Sequence, residues 1–589
     1  MPLYVQEQNH KSPKGLRSAL PWNFTAIAFF FSFNFLSTIA GAQTLPQAGQ
    51  DISAQAERFQ KEYSLDKRML ERKKEKPDVE IRGENKQTLL GGQTFELREI
   101  NLTGVSRKTK ELLSYVWDPY IGKQVNMKDL QEIMDHLKRA YKNSGYLTAL
   151  AYLPDQDVQY GVVEIRILEG KMGQLNIDGN KWFSRPSVMR YFHTDRDGIL
   201  NFSRVERDIM RLNENPDLNV KTIFSAGQQP GTSDVTLKVQ ENYPNHVLVG
   251  FGNQGSRLTG RYQESVTVNS SNFTGNHDLI SFTATSSTSS SGQSLSYRLP
   301  VGTEGVKAGL DLAYFELKLG KEFKPLDIVG STKLYTPNLS WEFYRSSSLQ
   351  VFGHTGVKIK DIKKTIGRTK ATDEQLRLPY FSADFVNVDA SGQINFSPEL
   401  TFGTEEFLGA SKRNNPVASR QGAGGNFIKY DHSLSRLQRM PWDSNIQIRS
   451  QFQGASKTLP SSEQLQLGGL NSIRGYPEGD YLADVGGLLN VDWVFPMYLI
   501  PQNFRLKGSN EDLRQQIQPV VFFDMGGGQI LKTVTGEREK KFLVGAGGGF
   551  RIHLKSNTYL KLYWADHFGD RPIKGTGPST FDVSLQMGT

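Results

Sequence analysis

The sequence predicts an all-β transmembrane barrel of about sixteen antiparallel strands, preceded by two small α+β modules and an N-terminal helix. Three observations carry this expectation. From His246 onward, apolar and polar residues alternate with a period of two between glycine- and asparagine-rich turns. The connections between those segments alternate long and short, as the two rims of an outer-membrane barrel require. Upstream, one pattern recurs at an offset of 75 residues and marks two copies of a single unit.

Composition narrows the classes first. With 589 residues, the chain is too long for one ordinary domain. Past residue 42 no run of 18 apolar residues occurs, which excludes a helical membrane protein. A soluble multidomain protein and a β-barrel both stay open, because alternating strands barely register in an averaged hydropathy. The net charge of +9 is spread without a basic tail, so no nucleic-acid partner is expected. Zero cysteines exclude disulfides and cysteine-ligated metal sites. The nine histidines are scattered, and HExxH, GxSxG and GxxxxGK[ST] are all absent. No catalytic residue, metal or cofactor is therefore expected.

Residues 1–42 read as a secretory signal. Lys11, Lys14 and Arg17 precede the apolar run from Trp22, which ends in the small residues Ala40-Gly41-Ala42. A membrane anchor is the competing reading. Residues 43–76 are highly charged and helix-forming, and Phe59, Tyr63, Met69 and Leu70 make only a thin apolar stripe. Residues 77–93, opened by Pro77 and closed near Gly91-Gly92, read as a linker.

The two modules follow at 94–170 and 171–242. "LREINLTG" ends at Gly104 and "MGQLNIDG" at Gly179. At the same offset, Asn126 and Asn201 stand where helix N-caps belong. Behind them Leu130, Met134 and Leu137 match Val205, Ile209 and Leu212 at helical spacing. Each unit closes on an alternating strand, with Val163, Ile165 and Ile167 in one and Val235, Leu237 and Val239 in the other.

Residues 243–589 form the expected barrel. In "NIQIRSQFQ", Ile446, Ile448 and Phe452 share one face, and Asn445, Gln447, Arg449 and Gln451 the other. Long connections are expected at 406–426, 454–480 and 531–540, and tight ones at Trp442 and 555–557. The connection 497–516 is too long for the tight rim. A large β-sandwich or propeller is the soluble alternative.

Near the end of the barrel, "PVVFFDMGGGQI" turns Val521, Phe523 and Met525 to lipid, and Phe522, Asp524, Gly526 and Gly528 to the lumen. In the next strand Gly545, Gly547, Gly549 and Arg551 face inward. The inner wall is then nearly bare, with one carboxylate in it, and interior strand glycines often mark close approach by another backbone. The long connection "LGGLNSIRGYPEGD" carries Arg474 among glycines. Two readings follow: Arg474 folds inward and grips Asp524 through its planar fork, or each charge is separately solvated.

The quoted motifs resemble those of two-partner secretion (TpsB-type) transporters, the family of the haemolysin-activator and filamentous-haemagglutinin transporters. Ile473-Arg474-Gly475-Tyr476 is similar to that family's [VI]RG[YF] loop motif, and Phe522-Phe523-Asp524-Met525-Gly526 to its FxDxG strand motif. "LPDQDVQYGVVEIRILEG" resembles the close of a first POTRA (polypeptide-transport-associated) module, and "NQGSRLTGRYQ" the opening of the barrel. The resemblance implies a Gram-negative outer-membrane location with two periplasmic POTRA modules. It implies pairing of Arg474 with Asp524, and a leading helix able to plug the pore. A secreted, β-helical TpsA-type partner would be bound unfolded by the modules and translocated, with activation of a haemolysin- or adhesin-type client. Outer-membrane lipid, periplasmic chaperones and the barrel-assembly machinery are the other implied partners, and a monomer the implied state. One departure is the non-aromatic end Gln586-Met587-Gly588-Thr589, with Phe581 inside the last strand. A barrel-assembly or insertion factor of the same superfamily is the alternative function.

Overall fold

A computed structural model describes residues 79–81 and 94–588, apart from 106–109, 112, 144–145, 147–148, 155, 157, 159, 169, 195–197, 230, 257, 506–511, 535, 555–557, 573–576 and 578. The expected signal segment, the leading helix and the turn 555–557 lie outside the described residues.

Both modules form because one helix and one alternating strand bury matching apolar faces. In the first, Glu99–Thr103 pairs in parallel with Val162–Leu168, which pairs antiparallel with Leu150–Tyr152. The helix Met127–Asn143 covers that sheet through Leu130, Ile133, Met134 and Leu137. Asn126 caps it, its Oδ1 accepting from the amide of Lys128 at 2.8 Å, while its own amide donates to Asp129 at 2.8 Å. The second module repeats the plan with Lys171–Asp178, Leu218–Ala226, Thr232–Glu241 and the helix Phe202–Leu212, capped by Asn201. Gly104 and Gly179 take φ of +83° and +91°, and a Cβ at either would strike a carbonyl of the closing strand. The offset repeat is thus one backbone solution used twice.

One expectation needs correction. Residues 77–93 are not simply a linker, because Val79–Ile81 pairs in parallel with the edge strand Leu218–Ala226. That strand leaves its outer backbone groups free for such an addition, a pairing that no periodicity over three residues could announce.

Sixteen strands, from Asn245–Gly252 to Ser579–Gly588, close into an antiparallel barrel. The last strand pairs with the first, Leu248 opposite Gly588. Outward positions are apolar and partly exposed, as at Val521, Phe523, Trp564 and Phe581, which is the lipid face such a barrel needs. The strands Ile328–Arg345, Leu349–Ile366 and Thr369–Asp389 have 18, 18 and 21 residues. They exceed the roughly 9–11 residues that cross a bilayer and so project beyond it. The connection 497–516 lies on the tight rim, where the hydroxyl of Tyr498 donates to the carbonyl of Trp442 and the Arg514 guanidinium lies 4.9 Å from the Tyr498 ring centre. Tyr498 thereby ties the connection to the neighbouring turn.

The second module is bolted to the same rim. Arg211 donates to Glu342 at 3.1 Å and to the carbonyl of Thr303 at 3.2 Å, and Glu214 takes Lys307 at 2.6 Å and Arg345. His277, in the turn after Gln263–Ser270, packs between Phe183 and Tyr191 of the module. Burial, and next the neighbouring Arg190, push its pKa down to about 4, against the opposing pull of Asp278. Exposed, the imidazole takes a proton near 6.5, whereas docked it does so only near 4. The undocked state therefore binds more protons, and docking weakens as pH falls between those values. From pH 7 to pH 5 the loss is expected to be about 2 kcal/mol. Spin-label distances between module and barrel should broaden over that range, and His277→Phe should flatten the response.

Candidate functional site

The site is built on three consecutive barrel strands, Val485–Val494, Ile517–Gln529 and Lys540–Leu554. Their register sets Asn490, Asp524 and Gly545 side by side in one inward row, and Asp492, Phe522 and Gly547 in the next. The loop 456–484 enters this space on a short hairpin, Leu465–Leu467 with Tyr481–Ala483. Gly468 and Gly469, at φ near +100°, turn the chain inward. Ile473 and Tyr476 then bury themselves among Leu467, Leu488, Ile530 and Leu543 of the hairpin, wall and neighbouring loop. Apolar anchoring on both sides leaves the intervening Arg474 one permitted place.

Arg474 is 1% exposed and lies against the wall. Its Nε and Nη2 donate to the two oxygens of Asp524, each at 2.7 Å, and its amide donates to the same carboxylate at 3.0 Å. Nη2 also reaches Asp492. The guanidinium carbon sits 3.6 Å from the ring centre of Phe522, and Tyr563 is the next ring at 5.4 Å. Asn490 donates to Asp524 at 2.8 Å and also to the carbonyl of Ser472. Asp492 in turn accepts from Arg449 at 3.2 Å and from Arg551, whose Nε reaches the Tyr563 hydroxyl at 2.7 Å. Two fully buried carboxylates are thus satisfied by three guanidiniums. The cluster is stable while complete and costly when one partner is lost.

The sequence-derived residues divide clearly. Ile473, Arg474, Gly475, Tyr476, Phe522, Asp524 and Gly526 all converge here. Gly475 has φ of +90°, and a Cβ there would meet the carbonyl of Asp566 at 2.7 Å. Tyr476 is buried against the wall, and its hydroxyl accepts from the amide of Gly569 at 3.1 Å.

The loop lies directly against three glycines of the wall. A Cβ at Gly545 would stand 1.9 Å from the Arg474 carbonyl oxygen, at Gly526 2.9 Å from Ile473, and at Gly528 2.3 Å from Ala483. The loop therefore covers this part of the wall. Gly547 and Gly549 instead lie 2.0 Å, measured from an added Cβ, from the Trp564 and Leu562 carbonyls of the next strand, with Phe522 and Tyr563, the rings beneath the guanidinium, next. The neighbouring strand Val485–Val494 adds a second carboxylate, Asp492, with Asn490, and Arg449 and Arg551 complete the site. The parity reasoning that turned Asp524 inward would have found Asp492 in "GGLLNVDWV", where Leu489, Val491 and Trp493 take the other face.

The family model described as haemolysin secretion/activation protein ShlB/FhaC/HecB matches residues 231–552, and that of the ShlB-type POTRA domain matches residues 95–170. Over 463 residues the chain is 25% identical to the heme/hemopexin transporter protein HuxB of Haemophilus influenzae, covering 75% of this chain and 77% of that protein. It is 24% identical over 430 residues to the outer membrane transporter CdiB of Escherichia coli, covering 70% of each. The solved structure of CdiB from Escherichia coli matches with a TM-score of 0.72 at 18% identity, covering 93% of this chain and all of that one. CdiB from Acinetobacter baumannii matches at 0.69 and 15% identity, again over 93% of this chain. Those two likenesses bear on the fold.

Proposed function

The chain belongs to the haemolysin secretion/activation family ShlB/FhaC/HecB, and from that premise we propose that it captures one unfolded exported partner in the periplasm and threads it through the barrel to the cell surface. It is an outer-membrane transporter of the two-partner type and not an enzyme, with its POTRA modules on the periplasmic side. The finer reading concerns how transport works. An extended client adds as a strand to a module edge, backbone to backbone, which tolerates varied side chains. Support comes from the edge Leu218–Ala226, which already accepts a strand from Val79–Ile81.

The observation that carries the reading is the ion-held loop inside the lumen. An apolar plug would seal the pore permanently, whereas a hydrogen-bonded ion cluster holds one defined geometry and still borders a wet interior. Arg474 and Asp524 are positioning residues in this account, with the segment 43–76 as a further plug. Lacking a nucleotide motif, the process draws its direction from client folding outside. The client is a β-helical exoprotein of the haemolysin or adhesin type, activated on export. Chaperones deliver it, the barrel-assembly machinery inserts the transporter, and one copy suffices.

Deleting the chain in its native cell should strand the partner in the periplasm while other outer-membrane proteins keep their normal levels. Immunoblots of surface, periplasm and membrane fractions read this directly. A general loss of outer-membrane barrels with the partner still exported would support an assembly factor and contradict secretion.

A further inference from the structure

The loop 456–484 is held a second time, outside the Arg474 cluster and by a different carboxylate. Asp484, fully buried, ends that loop where the strand Val485–Val494 begins. Its Oδ1 accepts from Arg420 at 2.6 Å, from the amide of Leu459 at 3.0 Å and from Gln464 at 3.2 Å. Its Oδ2 accepts from Arg420 at 3.3 Å and from the amide of Leu531 at 2.8 Å. Arg420 belongs to the loop 403–427 and also donates to the carbonyls of Leu459 at 2.9 Å and Lys532 at 3.3 Å. One guanidinium and one carboxylate therefore join three long loops, 403–427, 456–484 and 530–539, all on the rim opposite the POTRA modules. Beside the pair, the amide of Ser461 donates to the Ser419 hydroxyl at 3.1 Å.

The rest of the loop is tied to the wall by other charges. Glu463 accepts from Lys429 at 2.8 Å and from Lys360, and Asp480 accepts from Lys541. Those bonds fix the loop to barrel strands. The Arg420–Asp484 fork instead gathers loop to loop, beside neutral bonds such as those from the Tyr481 hydroxyl to the carbonyls of Arg538 and Glu539, and buried charged forks are strong when made and costly to half-break.

We propose that Arg420 and Asp484 form an outer latch, which closes the extracellular mouth by holding these three loops together and must part before a client can leave. The inference rests on the transport reading and adds where the exit is gated. The latch lies apart from the Arg474 cluster, so the two can be disabled separately.

The chain has no cysteine, so full-length protein can carry single engineered pairs. In planar bilayers Arg420→Ala should raise the ion conductance several-fold, with heat-modifiable barrel mobility unchanged. A second variant, Ser419→Cys with Ser461→Cys, should stop client export when oxidised and recover it on reduction. Unchanged conductance in Arg420→Ala, with full export through the oxidised pair, overturns the latch and leaves the transport reading standing. Failure of the unmodified chain to export its partner overturns the transport reading and the latch with it.

Discussion

Replacing Arg474 with alanine is expected to abolish measurable secretion while the barrel still assembles in the outer membrane. The change removes three side-chain hydrogen bonds from two buried carboxylates and the cation above Phe522. Breaking a buried ion pair from one side costs roughly 3–5 kcal/mol. At about 1.4 kcal/mol per tenfold, the equilibrium constant for seating the loop falls by about two to three and a half powers of ten. Folding survives because the sixteen-strand hydrogen-bond ladder does not pass through Arg474. Asp524→Ala should lose secretion as well, since Arg474 would keep only Asp492. Arg474→Lys should recover only part, because an ammonium cannot grip both oxygens of Asp524 and reach Asp492 together. Secretion at wild-type rates in Arg474→Ala and Asp524→Ala would remove the positioning role.

Gly545→Val should be as severe through a purely steric route. Its Cβ would stand 1.9 Å from the Arg474 carbonyl, which is backbone and cannot swing aside. A valine suits a strand, so the barrel should form and the loop be expelled. Gly548→Ala is the control: it faces the other side of the same strand, and its Cβ meets only the Val520 carbonyl at 3.2 Å. Secretion and the electrophoretic mobility of unheated protein separate the two outcomes. Equal secretion by Gly545→Val and Gly548→Ala would contradict the packing argument.

The legible features were those written as periods. Alternation in "PVVFFDMGGGQI" and "KFLVGAGGGFRIHL" turns the correct residues inward, because a strand permits only two faces. The repeat shows in Asn126 and Asn201 because capping demands particular side chains at particular places. What escaped depends on which strands become neighbours. Asp492 lies 32 residues before Asp524 in the chain, and only strand pairing sets the two in adjacent rows. The short strand Val79–Ile81 has no period to read. A glycine in a strand announces room without saying what fills it, and so Gly545 and Gly549 look alike in sequence but face the carbonyl of an inserted loop and the carbonyl of the next strand.

The central claim is that a cation carried on an outer loop lies inside the barrel because two wall carboxylates hold it there. Ser472, two residues before Arg474, is 8% exposed, and Ser472→Cys would give this cysteine-free chain one thiol. In intact cells a membrane-impermeant maleimide should leave that thiol unlabelled when Arg474, Asp492 and Asp524 are present, and label it rapidly once Arg474→Ala is added. Rapid labelling in the otherwise unmodified chain, or protection that persists without Arg474, would contradict the account.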